Sequence, residues 1–579
     1  MKNTTTKPLL SFEFASSTGE VQPITFKNPI KTIVANTIEE IYPSFQLIQE
    51  AVEHGFYAAG YISYESAPAF DQAFQVKQKG NMPLLWFGIF SDPIHESLDS
   101  QESYEHTKWT PNITREHYDS AIESIRTSIE NGDTYQTNYT IRLNSQFSGD
   151  DIAFFNQLKR AQSSNYCAYI NTGEFSVLSA SPELFFHLKD RQITTRPMKG
   201  TIARGKTLKE DKENAEWLYG SVKNRAENVM IVDLLRNDLS IIAEQGSVQV
   251  PKLFDIEHYP TVHQMTSTIT AEVKHDTSYF DLFKALFPCG SITGAPKIST
   301  MEVISQLETS ARDVYCGAIG YFTPNHEAIF NVPIRTVVIN QRTGSATYGV
   351  GGGITWDSTA SGEYEEILTK ASLLEQEKPN FDLLESMLLT NGKIYLLKEH
   401  LDRLEESSKF FNYSFNRKEI TTSLLNYTKV YPIGDFKIRL LLAKSGQITL
   451  GSQPISNQAG SKIVKLADGP IQKKNVFYYH KTTHRDNYSQ FQQADVFDVL
   501  LWNEKEEITE FTNGNIVLEI NGVLYTPPIQ CGLLAGTFRE KLIKEEIIQE
   551  KVLFLTDLEN SSKVWFINSV RKWIEVELI

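Results

Sequence analysis

Apolar residues recur at spacings of three and four along LKEHLDRLEESSKFF (397–411), the period of an amphipathic helix. The same reading makes helices of ENVMIVDLLRNDLSII (227–242), with Glu227 at its start, and of EYEEILTKASLLEQE (363–377). Strand-like runs occupy FSVLSASPELFFHL (175–188), RQITT (191–195) and AIFNVPIRTVVI (328–339), and later DFKIRLLLA, FDVLLWNE and NIVLEING. In FDLLESMLLTNGKIYLL (381–397), TNGK between two apolar runs predicts a hairpin turn. The early strand signals sit beside turns more than between regularly spaced helices. That predicts an antiparallel α+β first domain rather than a doubly wound one. EQEKPN (375–380) closes a helical pattern, holds a proline and precedes a fresh strand, so the chain divides into 1–375, a linker 376–382 and 383–579.

The length of 579 residues fits more than one core. A hydrophobic share of 41% with 22% charged residues is that of a soluble globular protein. No run reaches the roughly 20 apolar residues of a membrane helix, and MKNTTTKPLLSFEF lacks the apolar stretch of a signal peptide. Cys167, Cys289, Cys316 and Cys531 form no CxxC pair, which argues against a thiolate metal site. These features predict a cytoplasmic protein without a membrane partner. The net charge of −15 argues against nucleic acid. An anionic substrate would need positive groups gathered locally.

Several stretches pair reactive residues with tight backbone. RPMKGTIARG (196–205) sets Lys199 among glycines, as a surface charge, a phosphate hook or a nucleophile. GSITGAPK (290–297) offers Thr293, Gly294 and Lys297 to an anion, but has no Gly-Lys-Ser/Thr of a nucleotide-binding loop. YGVGGGI (348–354), with Gly349, Gly351, Gly352 and Gly353, is a second glycine nest. Arg335 in an apolar run needs a partner, for which a carboxylate is suited. Glu363 and Glu366 share a helix face, and with Glu227 they could hold Mg²⁺. Farther on, Lys481 lies in YYHKTTHRDNY between aromatic and hydroxyl residues, a setting for a desolvated amine. Glu510 follows a strand, and Arg403 and Thr537 could bind a phosphate. Each feature alone also has a plain reading, as a solvated helix face or an ordinary turn.

Together GDTYQTNY (132–139), SASPELFF (179–186), RPMKGTIARG, ENVMIVDLLRNDL, GSITGAPK, YCGAIGYF (315–322), IRT (334–336), YGVGGGITWDS (348–358) and EYEEILTKA (363–371) resemble the chorismate-utilising enzymes over roughly 55–375. The resemblance implies an antiparallel β-sandwich with surrounding helices. PMKGT is similar to the lysine-bearing motif of the aminodeoxychorismate synthase branch, where anthranilate synthases have a small residue. It implies that Lys199 attacks C2 of chorismate, that Glu183 protonates the departing C4 hydroxyl, and that ammonia enters at C4. It also implies Mg²⁺ on Glu227 and Glu366 with Glu363 close by, and a substrate carboxylate bound by Arg335, Tyr315 and the Gly349–Gly353 backbone. Two positions depart from the family: Gln264 stands where many relatives have histidine, and RNDLSI replaces RNDLGR.

LLESMLLTNGKIYLLKEHLDRL (383–404), YYHKTTHRDNY (478–488), DVLLWNEKEEITEFTNGNIVL (498–518) and TPPIQCGLLAGTFRE (526–540) resemble fold-type IV pyridoxal-phosphate enzymes, a D-amino-acid aminotransferase-like fold. This implies pyridoxal 5'-phosphate bonded by Lys481, which then serves as general base. Glu510 would face the pyridine nitrogen, and Arg403, Thr537 and the backbone near Asn515 and Ile516 would hold the phosphate. The pairing of the two resemblances implies synthesis of 4-aminobenzoate for folate. No glutaminase nucleophile elbow occurs, so free ammonia or a separate glutamine amidotransferase subunit is expected. An anthranilate-forming first site, and an aminotransferase or a non-catalytic docking module at the second, are the alternatives.

Overall fold

The computed structural model describes every residue except 1–6, 17–18, 78–79, 260–261, 376–378, 432, 456–461 and 494. The chain resolves into two units: Met1–Ala203 with Ala215–Lys378, and Arg204–Asn214 with Pro379–Ile579. Part of the expected linker, 376–378, lies outside the described residues.

The first unit is built on two ten-stranded sheets. Its strand pairings are antiparallel, as in Gln136–Gly149 with Ser345–Ile354 and Met198–Ala203 with Val262–Glu272. The inner faces share one aromatic-rich core: Phe12, Phe14, Ile170 and Val177 of one sheet meet Tyr61, Trp86, Tyr321 and Ile329 of the other. Helices Arg115–Glu130, Asp151–Gln162 and Ala360–Ala371 cover the first sheet. Helices Ile41–Glu53, Val222–Ile242 and Tyr279–Leu286 cover the second. The result is a sandwich of sheets between layers of helix, as expected.

Local departures have local causes. The run 175–188 is two strands, Phe175–Ser181 and Leu184–Lys189, which belong to different sheets and part at Pro182. Likewise 328–339 breaks around Pro333, leaving Ala328–Asn331 and Thr336–Asn340. Arg335 falls in the gap at φ 53, not in a strand. Glu227 does not start its helix. That helix begins at Val222, where the Ser221 side chain accepts from Asn224 N, so Glu227 lies more than a turn inside.

The second unit opens with the hairpin Leu383–Thr390 and Lys393–Ile394, turned at Asn391 and Gly392, both with positive φ. Helix Leu397–Phe411 follows over the expected residues. A four-stranded sheet packs on the two helices Leu397–Phe411 and Arg417–Thr428. In an eight-stranded sheet, Ile508–Phe511 pairs with both Asp498–Trp502 and Gly514–Ile520. The segment Arg204–Asn214 belongs here. Arg204 donates to both carboxylate oxygens of Asp211 at 2.6 and 2.7 Å and to Phe410 O at 3.1 Å. Lys206 O lies 3.0 Å from His480 Nε2.

Candidate active sites

In the first unit the strand Met198–Ala203 carries Lys199 inward, where its Nζ donates to Ser291 O at 3.1 Å. Burial depresses the Lys199 pKa, opposed by the charges of Glu183 and Glu227 and reinforced by Lys370. Glu183, 3% exposed, sits where the chain passes from one sheet to the other. Burial pushes its carboxyl up to about 7, restrained by the Ser291 hydroxyl, the Lys199 charge and the Met198 backbone. Its Oε1 has no hydrogen-bond partner.

The glycine nest forms the floor. A Cβ on Gly353 would stand 1.9 Å from Gln136 Nε2 and 3.3 Å from Lys199 Nζ. One on Gly352 would meet Glu363 Oε2 at 3.3 Å, Glu366 Oε1 at 3.5 Å and Lys370 Nζ at 3.7 Å. Gly351 lies against the Tyr139 carbonyl of the neighbouring strand. Only the missing side chains let these groups converge. Glu363 accepts from the Ser358 hydroxyl at 2.6 Å, and Lys370 binds Glu366 at 2.5 Å and Gly351 O at 2.7 Å. Burial raises the carboxyls of Glu227 and Glu363, with the Glu366 charge adding to both. Burial acts on Glu366 too, but Lys370, Lys199 and Arg335 hold it below the usual carboxylate range.

Among the described residues no three His, Cys, Asp or Glu side chains form a ready-made metal cluster. The donors still fit Mg²⁺ in kind: Glu363 and Glu366 bring hard oxygens to one point, and this ion keeps several waters.

Other expected residues stand elsewhere in this unit. Lys297 is ion-paired with buried Asp238 at 2.9 Å, which ties two helices together. The Thr293 hydroxyl closes its own turn on Cys289 O and Gly290 O. Gly294 lets the loop lie against Gln136 O. The Tyr315 ring fills the space beside Gly349 and stacks with Arg142. Arg335 donates to the amide oxygen of Gln162 at 2.7 Å and, among the described residues, to no carboxylate. Sequence reasoning passed over Ser291, Gln136 and Lys370, although all three lie inside quoted motifs. Gln136 is 2% exposed with an unpartnered Oε1.

In the second unit a cavity of about 650 Å³ is lined by Lys481, Arg403, Glu510, Thr537 and Asn515 among others. Lys481 sits in irregular chain whose backbone is pinned by Leu384 N donating to Lys481 O at 2.9 Å. Burial brings its amine down to about 7, helped by Arg403 and Arg485 against Glu385 and Glu510. Burial raises Glu510 to about 8, although it accepts from Tyr488 OH at 2.8 Å. Arg403 is no surface charge: it grips both oxygens of Glu385 at 2.8 and 2.6 Å and donates to Ala535 O. Burial opposes ionisation of Glu385, yet Arg403 and His400 bring it down to about 2. Thr537 opens helix Thr537–Lys544, and its hydroxyl meets His400 Nε2 at 3.3 Å. Asn515 Nδ2 donates to Leu534 O, whereas Ile516 is buried in the sheet opposite Phe566.

Four further cations line this cavity: Lys437, Arg439, Arg485 and Arg571. Burial lowers the Lys437 pKa, and the other three add to the shift. Lys437 and Arg439 are two apart on one strand and face the same side. That alternation inside DFKIRLLLA was a readable sign.

Residues 11–376 match the chorismate binding enzyme family, and residues 382–579 match amino-transferase class IV. Aminodeoxychorismate synthase component 1 of Salmonella typhimurium is 40% identical over 264 residues, 46% of this chain and 58% of that protein. Its Escherichia coli counterpart is 40% identical over 279 residues, 48% of this chain and 61% of that one. The chain thus spans about three fifths of the length of these curated relatives. Anthranilate synthase component 1 of Methanothermobacter thermautotrophicus is 34% identical over 337 residues, 54% of this chain and 72% of that protein. Anthranilate synthase component I from Streptococcus pneumoniae shares the fold, with TM-score 0.51 and 24% identity over 65% of this chain and 94% of that one. Lys199 beside the glycine nest, and a cavity lined by Lys481, thus sit in a chain that belongs to the chorismate binding enzymes and carries an amino-transferase class IV domain after them.

Proposed function

We propose that the chain makes 4-aminobenzoate in two steps: amination of chorismate to 4-amino-4-deoxychorismate in the first unit, then release of pyruvate in the second. One observation supports both halves. Each unit keeps a lysine of lowered pKa beside a buried carboxyl of raised pKa, Lys199 with Glu183 and Lys481 with Glu510. An amine must be neutral to attack carbon or take a proton, and a carboxyl must be protonated to act as an acid near neutrality.

In the first unit neutral Lys199 attacks C2 while Glu183 gives its proton to the C4 hydroxyl, which leaves as water. Ammonia then bonds to C4 as the C2–nitrogen bond breaks, and Glu183 recovers a proton from the new ammonium. Gln136, whose buried amide carbonyl has no partner, would accept from the incoming ammonia. Mg²⁺, held by Glu227, Glu363 and Glu366, would supply positive charge to a substrate carboxylate. Arg335 and the Gly351–Gly353 backbone would bind the other carboxylate. Lys297, Thr293, Gly294, Tyr315 and Gly349 would shape the loops around them.

In the second unit Arg403, Thr537 and Asn515 would hold pyridoxal 5'-phosphate by its phosphate, with Glu510 at the ring nitrogen and Lys481 at the carbonyl. When bound, the cofactor supplies an electron sink. Lys481 takes the C4 proton of the substrate. The four cations Lys437, Arg439, Arg485 and Arg571 exceed what one carboxylate needs and suit a substrate with two, as 4-amino-4-deoxychorismate has. Ammonia would come from solution or from a separate glutamine amidotransferase.

The purified chain supplied with chorismate, ammonium, Mg²⁺ and pyridoxal phosphate should release 4-aminobenzoate and pyruvate. Lys199→Ala should abolish or divert amination, and Lys481→Ala should let aminodeoxychorismate accumulate. Anthranilate as product, or a need for an amino acceptor, would overturn the reading.

A further inference from the structure

The strand carrying Lys199 is irregular at that lysine. Met198 faces Thr266 and Thr201 faces Gln264, so Lys199 and Gly200 together stand opposite Met265 alone. Two residues against one is a β-bulge, which turns a side chain away from the direction the strand would give it. Gly200 has φ +88, in the left-handed region, and a Cβ there would press on Asn224 at 3.0 Å. Asn224 is itself held, donating from Nδ2 to the Ser221 hydroxyl at 2.9 Å.

A bulge disrupts the ladder, and polar groups of the extra residue need partners from elsewhere. Here the Gln264 side chain supplies them. Its Nε2 donates to Gly200 O at 2.9 Å, and its Oε1 accepts from the Thr201 hydroxyl at 2.9 Å. The amide orientation is fixed by these partners, since turning it over would set carbonyl against carbonyl. The clamp grips the two residues after Lys199, and at its other end Lys199 Nζ rests on Ser291 O.

We infer that Gln264 is a positioning residue for the amination step, clamping the bulge at Gly200 and Thr201 so that Lys199 points into the site. The inference rests on the reading of Lys199 as nucleophile given above. The Gln264 side chain bonds to Gly200 and Thr201, so it would act through the chain that follows Lys199.

The test is a double-mutant cycle on the full chain with chorismate and ammonium. The Lys199 adduct is followed by intact mass, and the midpoint of thermal unfolding is measured for each variant. Gln264→Leu should lower kcat for amination and the rate of adduct formation about 10-fold, because a reacting group displaced by a fraction of an ångström loses rate steeply. KM for chorismate should stay within about 2-fold, because the clamp contributes no uniform binding. Thr201→Val removes one arm and should cost about 2-fold to 3-fold. The double variant should be no slower than Gln264→Leu alone, because both changes break the same clamp. A wild-type chain that forms no adduct at Lys199 overturns the nucleophile reading and this inference together. An active wild type with an unchanged kcat in Gln264→Leu overturns this inference alone. So do additive losses in the double variant, and so does a kcat loss matched by a rise in KM and a fall in the unfolding midpoint.

Discussion

Gly353→Ala separates chemistry from folding in the first unit. The added methyl would stand 1.9 Å from Gln136 Nε2 and 3.3 Å from Lys199 Nζ. Ordinary contact begins near 3.5 Å, so the Gln136 amide must retreat by about 1.5 Å. The backbone tolerates alanine here, because Gly353 does not have a left-handed φ. Moving one side chain off its rotamer costs about 0.5–1.5 kcal/mol, a small loss of stability. The reaction suffers far more, since about 1 Å of misplacement costs roughly 100-fold in rate. Gly351→Ala is the counterpart. Its Cβ would meet Tyr139 O at 2.1 Å and Thr140 Cα at 2.7 Å, and backbone cannot swing aside. Steady-state amination with ammonium, paired with thermal unfolding, should show Gly353→Ala slow but stable and Gly351→Ala destabilised. A Gly353→Ala chain with the wild-type rate would show that Gln136 and Lys199 do not converge on this point during catalysis.

Two further substitutions test the electrostatics. Glu65 is 5% exposed, and burial, with Asp313, raises its carboxyl to about 8. Its native form binds a proton that the unfolded chain releases above its ordinary pKa near 4.5, so stability should fall as pH rises from there toward 8. Glu65→Gln, neutral throughout, should be close to neutral in effect at pH near 5 and stabilise by a few kcal/mol near pH 8. Unfolding midpoints that differ equally at both pH values would count against this. Lys370→Met removes a cation that repels the proton on Lys199 and frees Glu366 to attract it. The pH at which Lys199 reacts with an amine-directed reagent, read by peptide mapping, should therefore move up. An unmoved profile would show that Lys370 does not govern that lysine.

What the sequence made legible was local. Helix Leu397–Phe411 and the Asn391–Gly392 turn follow from apolar spacing and from the residues that accept positive φ. The proline-broken runs misled, because β propensity carries through Pro182 and Pro333 while the chain changes sheet or loses its register there. Glu227 was placed at a helix start because periodicity does not show a cap, and Ser221 supplies it. At the sites, the lysines and carboxylates stood out by type. Gln136 and Ser291 are neutral, and their relevance lies in an unpartnered oxygen and a backbone carbonyl, neither visible in one dimension. The grouping of Arg204–Asn214 with the second unit had no local sign, since it rests on the contacts of Arg204 and Lys206 with Phe410 and His480.

The two lysines reach low basicity by opposite arrangements, and the difference bears on how each would work. Lys199 is surrounded by carboxylates that favour its protonation, and burial with Lys370 must outweigh them. Any cation drawn to Glu227, Glu363 and Glu366 would weaken that attraction and release the neutral amine. Metal binding would then prepare the nucleophile as well as the substrate carboxylate. Lys481 is surrounded by cations, with Arg403 and Arg485 adding to burial. A substrate bringing two carboxylates to Arg485, Arg439, Arg571 and Lys437 would cancel much of that positive field. The amine would then become a stronger base once the substrate is bound. The cation cluster would thus serve recognition and proton abstraction together, as a metal at Glu227, Glu363 and Glu366 would join substrate binding to release of the amine in the first unit.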